Sequence, residues 1–232
     1  MIMWFFRKKD KNKKGVTPEL SEYEALDQLI KRLEKTPLLS REEAGERHKP
    51  FIKKAIDRML DEGVSRGVAA DDHEMYNQSE EEFKLHLKKT DNDLKEQISI
   101  FNFGLDRWFE YGETHPPYFP LRIAIILSKR KELEKEKHFL AAYCRHFKFR
   151  AGTRDQQITN RAIKKGAISQ DGIPEKAGVL LAASKLVHEH GTNARAISDG
   201  MRTNAYNSGS EIEFLQKNLI WEAVMKITYK PL

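Results

Sequence analysis

The chain has 232 residues, 39% hydrophobic and 33% charged, which is too apolar for a disordered polymer and suits amphipathic helices with broad solvated faces. Thirteen glycines, eight prolines and scarce β-branched runs argue against a sandwich or barrel, and the lone Cys144 excludes an internal disulfide framework and a multi-cysteine zinc site. The net charge of +6 is uneven: residues 1–14 and 148–205 are basic and 15–147 is mildly acidic, so nonspecific attraction to anionic lipid or nucleic acid would act through the basic parts.

Taken in chain order, the first segment joins six apolar residues, Met1 to Phe6, to Arg7, Lys8, Lys9, Lys11, Lys13 and Lys14. It falls well short of the ~20 apolar residues that span a bilayer. Its charges follow the apolar stretch, the reverse of a secretory signal. Trp4, Phe5 and Phe6 entering a lipid interface would contribute a few kcal/mol (~3) on apolar area. Arg7, Lys8 and Lys9 beside anionic lipid would add about 1 kcal/mol each. The expectation is a tail over 1–16 on a cytoplasmic protein, peripheral on the inner membrane face.

Thr17-Pro18 reads as a helix start, followed by Leu26, Leu29, Ile30 and Leu33 at helical spacing up to Thr36-Pro37. Ser40 and Glu43 have capping-box spacing, and the helix they open is interrupted or restarted at Pro50 and stops at Gly63. Residues 63–78 lack periodicity and read as a loop. Ser79 and Glu82 form a second capping box, and Thr90 to Asp93 a third start. A strong stripe from Leu94 through Ile98, Phe101, Leu105 and Trp108 ends at Gly112 and the His115-Pro116-Pro117 turn. Helices are expected at about 119–129 and 132–146, from Thr153 to Gly166, from Pro174 to Gly191, over 193–203, and from Ser210 to the end. The expected fold is all-α, a multi-helix bundle or irregular array of hairpins. A helical domain would cover 17–148 and a basic helical region 149–232.

The stretch from Pro117 to Cys144 resembles a single tetratricopeptide-type hairpin. Ala124 and Leu127 fall near the small and large core positions of its first helix, Leu140 and Tyr143 near those of its second. Glu136 departs from the pattern, since that family commonly has Ala there. The resemblance covers about thirty residues and implies helix-pair packing and peptide or protein binding. Tyr118, Arg122 and Tyr143 are then the expected partner contacts.

Other chemistry is thinner. His188 and His190 sit two apart, about 200° around a helix, and cannot share a metal unless the helix has ended. No H-E-x-x-H pattern, Gly-rich phosphate loop or G-x-S-x-G elbow occurs. Asp71, Asp72, His73 and Glu74 lie together in the longest expected loop, where a metal-dependent hydrolase could be built. Arg150, Arg154, Arg161, Lys164, Arg195 and Arg202 could face nucleic-acid phosphates.

The leading reading is a helical protein–protein interaction or adaptor protein, with its tail on an anionic membrane surface. Nucleic-acid binding is the alternative and hydrolysis the third. No cofactor or metal is implied, and the enzyme reading is the minority one.

Overall fold

Serine side chains open most of the early helices. In the computed structural model, which describes residues 20–229, Ser21, Ser40, Ser65 and Ser79 each accept a hydrogen bond from the backbone N–H three residues on. At Ser21/Glu24, Ser40/Glu43 and Ser79/Glu82 the glutamate reaches back to the serine amide, completing the capping box. The helices are α1 Glu22–Lys35, α2 Arg41–Glu62, α3 Arg66–Ala69, α4 Glu80–Thr90, α5 Leu94–Tyr111, α6 Tyr118–Lys129, α7 Leu133–Phe147, α8 Thr153–Lys164, α9 Lys176–His190, α10 Ala194–Asn207 and α11 Glu211–Thr228. The fold is all-α, with no strand among the described residues. No helix among those residues is long and apolar enough to cross a membrane. Trp4, Phe5, Phe6, Arg7, Lys8 and Lys9 lie outside the described residues, as does the expected start at Thr17-Pro18.

α1, α5, α6, α7 and α8 share one core. Leu26, Leu29 and Leu33 of α1, Phe101 and Leu105 of α5, and Ile123 and Leu127 of α6 are almost fully buried there. So are Phe139, Tyr143 and Phe147 of α7 and Ile158 of α8. Side chains of this size contribute about 1.5–3 kcal/mol each when buried. Ile158 and Ala162 belong to this core, so α8 packs into the central bundle, and α9, α10 and α11 are called the C-terminal unit below. α9, α10 and α11 close around Val179, Ala183, Ala194, Ile220, Ala223 and Val224.

Two expectations need correction. α2 runs unbroken through Pro50, which removes one intrahelical hydrogen bond without ending the helix. Residues 63–78 are not featureless: they hold α3 and a 3₁₀ turn, Glu74–Asn77. Single turns are too short to show periodicity, and this stretch is anchored by Ser65 and by Met75, which is 1% exposed.

α2 lies against the end of α5 at closest approach. Gly112 caps α5 in the left-handed region of backbone space, at φ 65°, and a Cβ there would meet the Ala44 carbonyl oxygen at 1.9 Å. Only glycine satisfies both demands. This contact holds the first half of α2 beside the seam between the central bundle and the C-terminal unit.

Candidate functional site

A cavity of about 510 Å³ opens at that seam. α2 supplies Arg41, Ala44, Gly45 and His48, whose spacing puts them on one helix face. The end of α5 and its following loop bring Trp108, Thr114 and His115. His146 comes from the last turn of α7, Arg150 from the α7–α8 connection and Asp155 from the first turn of α8, with Tyr206, Glu211 and Phe214 from the α10–α11 corner.

Two arginines are backed by aromatic rings. The Arg41 guanidinium lies 3.5 Å from the Tyr206 ring centroid and 4.2 Å from that of Phe214. Arg150 lies 4.8 Å from the Trp108 ring and 4.3 Å from Phe147. Such contacts hold a guanidinium in place while its edge N–H groups stay free to donate. Arg150 Nη1 also sits 3.4 Å from each ring nitrogen of His115.

Burial sets the protonation states here. It pushes the His115 pKa well below 6.5, and the neighbouring Arg150 adds to this, so the imidazole is neutral. His146 is also lowered, chiefly by burial. Its Nε2–H donates to the Leu33 carbonyl at 2.6 Å, which leaves Nδ1 an acceptor. Tyr143 donates its hydroxyl to Asp155 Oδ1 at 3.3 Å. Burial raises the Asp155 pKa, with Arg150 opposing, and raises that of Tyr143 strongly.

Five shielded side-chain atoms of the residues that line this cavity show no hydrogen bond that meets ordinary geometry. Three of them can only donate: Arg41 Nη1, Trp108 Nε1 and Arg150 Nη2. All three belong to residues that line this cavity. His48 Nδ1 and His146 Nδ1, also unpartnered, line it as well.

The residues singled out in the sequence are dispersed. Tyr118 donates to Asp91 Oδ1 at 2.9 Å and Arg122 to the Asp91 carbonyl at 2.7 Å, which pins α6 to the turn after α4. Tyr143 is fully buried and cannot be an exposed partner contact, because its ring fills the central core. Asp71 pairs with Arg58 at 3.0 Å and Asp72 with Arg107 at 3.0 Å, while His73 Nδ1 accepts from the Met75 amide. Glu74 opens the 3₁₀ turn. No group of three or more His, Cys, Asp or Glu among the described residues could hold a metal ion.

The basic residues are likewise committed to separate neighbours. Arg154 lies 5.6 Å from the Tyr118 ring, and Arg161 pairs with the buried Glu136 at 2.5 Å. Arg195 donates to Thr228 and Arg202 pairs with Asp199. Lys164 is exposed, and Arg150 alone of the six lines the cavity.

Sequence reasoning missed Arg41, His48, Trp108, His115, Tyr206 and Phe214. The available signal was Arg41-Ala44-Gly45-His48, a polar and small-residue face where an amphipathic helix would ordinarily carry large apolar side chains. No protein-family model, curated protein or solved structure matches this chain.

Proposed function

We propose that this chain is a helical interaction protein that receives an exposed segment of a protein partner in the cavity between its central bundle and its C-terminal unit. The observation that carries the reading is the gathering of Arg41, Trp108, Arg150 and Tyr206 around one opening. Arg, Trp and Tyr are the side chains that most often dominate binding energy at protein interfaces. The volume of about 510 Å³ is also that of a ligand-sized site.

The α6–α7 hairpin, read as tetratricopeptide-like, supports the proposal as a frame. Ala124, Leu127, Leu140 and Tyr143 are all fully buried, so this pair offers rigidity while the cavity offers the contacts. Attachment of residues 1–14 to an anionic inner membrane surface belongs to the same proposal. Vesicle flotation with and without that segment tests it, and equal flotation of the two forms removes the tether.

The interaction reading is tested by selecting peptides from a random library against the full chain. Gly45 lines the cavity and a Cβ there meets nothing within 4 Å, so Gly45→Phe fills the opening without removing a charge. Selected peptides should bind the parent chain and lose at least ten-fold in affinity for Gly45→Phe. Enrichment of none, or equal binding to both forms, would defeat the proposal.

A further inference from the structure

The second half of α2 presents an apolar ridge to solvent. Ile52, Ile56 and Leu60 follow one another at four-residue spacing, with Met59 beside them, so all four share one helix face. Ile56 is 48% exposed, Met59 36% and Leu60 77%, and Ile52 is half-buried. The packed side of the same turns is carried by Ala55, which clusters with Ala69 and Ala70. Single exposed apolar residues need no explanation, but an adjoining run of them marks a contact surface.

A second ridge runs alongside the first. Lys49, Lys53, Asp57 and Asp61 are again four residues apart, two bases followed by two acids. Within one helix this order is unfavourable, because Lys49 neighbours Lys53 and Asp57 neighbours Asp61 one turn away. Lys49 pairs with Glu46 at 2.6 Å, whereas Lys53, Asp57 and Asp61 take part in no ion pair among the described residues. Turned end for end, however, the ridge is its own complement. About a two-fold axis level with Ala55, Lys53 of one helix comes opposite Asp57 of the other, and Lys49 opposite Asp61. The same register interleaves the two copies of Ile56 and brings Ile52 beside Met59.

We propose that α2 docks antiparallel against α2 of a second copy of this chain, covering Ile52, Ile56, Met59 and Leu60. One patch then serves both copies, the two-fold arrangement commonest among soluble oligomers. The apolar ridge supplies the affinity, and the charged ridge at its rim sets the orientation. A wholly acidic or wholly basic partner would match only half of the charged ridge. An anionic lipid surface would meet Asp57 and Asp61 as well as the lysines, and would be repelled by them. One helix face is a small interface, so the dissociation constant should lie between about 1 μM and 1 mM. The inference is independent of the cavity, whose α2 residues, Arg41, Ala44, Gly45 and His48, lie in the other half of the helix.

Sedimentation equilibrium of the full chain tests the proposal. The weight-average mass should climb from 27.0 kDa toward twice that value as concentration rises from about 10 μM to 1 mM. Ile56→Asp and Leu60→Asp, both at exposed positions, should each weaken association about ten-fold or more, with melting temperatures showing that the fold is kept. Lys49→Asp/Lys53→Asp makes the charged ridge wholly acidic and should weaken association by about ten-fold as well. Adding Asp57→Lys/Asp61→Lys to that variant reverses the whole ridge and should restore the parent affinity. A mass that stays at one chain up to the highest concentration would overturn the proposal. So would association that survives Ile56→Asp unchanged, or that the complete reversal fails to restore in a folded chain. Flotation of a single-chain parent with anionic vesicles, lost in Ile56→Asp, would overturn it in favour of a lipid surface.

Discussion

The guanidinium of Arg41 lies over the ring of Tyr206, 3.5 Å from its centroid, and joins the first turn of α2 to the last turn of α10. Tyr206 is 56% exposed, so the contact is worth about 1 kcal/mol rather than the larger figure for a desolvated pair. Tyr206→Ala should therefore speed amide hydrogen exchange in α10 and α11 roughly five-fold. Tyr206→Phe, which keeps the ring face, should leave it unchanged. Identical exchange in all three proteins would mean that the ring does not fasten the seam.

Stability should fall on mild acidification. The folded pKa of His115 is well below the ordinary 6.5 and that of His146 is also lowered, both mainly through burial. The unfolded chain thus takes up these protons first, so their stabilisation is complete above pH 6.5 and is lost as pH falls toward the folded values. Each proton adds at most about 1.4 kcal/mol per pH unit. Asp155 acts with the opposite sign, since its folded pKa lies above 3.8 and the fold regains stability as pH falls through it. Urea midpoints should drop from pH 7 to 5.5, and His115→Gln should flatten that slope. A parent protein with a level profile over this range would contradict the burial of neutral imidazoles.

Two glycine-to-alanine substitutions in helices should move stability in opposite directions. At Gly200 a Cβ meets nothing within 4 Å, so alanine should stabilise by up to about 1 kcal/mol through helix propensity. At Gly104 the new Cβ would stand 2.6 Å from the Cβ of His115, a buried side chain with little room to retreat. Overpacking of this kind costs about 1–3 kcal/mol and should outweigh the propensity gain. Melting temperatures decide the matter; a stabilised Gly104→Ala would show that His115 is not pressed against α5.

Cys144 should be silent in the folded protein. It is fully buried, and burial raises its thiol pKa to about 12, leaving almost no thiolate at neutral pH. As it is the chain's one cysteine, a thiol reagent should react only as the central core opens, and rapidly in denaturant. Stoichiometric labelling of the native protein within seconds would be incompatible with this core.

Much of the fold was legible because its signals are local. The reciprocal bonds of Ser40/Glu43 and Ser79/Glu82 lie within four residues, and the stripe from Leu94 to Trp108 repeats along one helix. Ser21, the actual cap of α1, was overlooked because Thr17-Pro18 offered a similar start just upstream. Glu136 was visible as a misfit in the hairpin pattern, but its reason lies a helix away: the carboxylate is fully buried and meets Arg161 and Lys165 of the α8 segment. The cavity was illegible for the same cause on a larger scale. Arg41, Trp108, Arg150 and Tyr206 come from separate parts of the chain, and no spacing rule links them until the two helical units meet.

The modest side chains inside α9–α11 carry a consequence for how the molecule comes apart. Among its buried residues Val179, Ala183, Ala194, Ile220, Ala223 and Val224, none is larger than isoleucine, whereas the central bundle is filled with phenylalanine, tyrosine and leucine. Deleting apolar surface from an interior lowers the work needed to open it. Under gentle denaturation a protease should therefore trim the chain from the α9 side first, leaving a resistant fragment that ends near α8. An occupant seated in the cavity would also steady Tyr206 and Phe214, so its arrival should register as protection of a distant cleavage site.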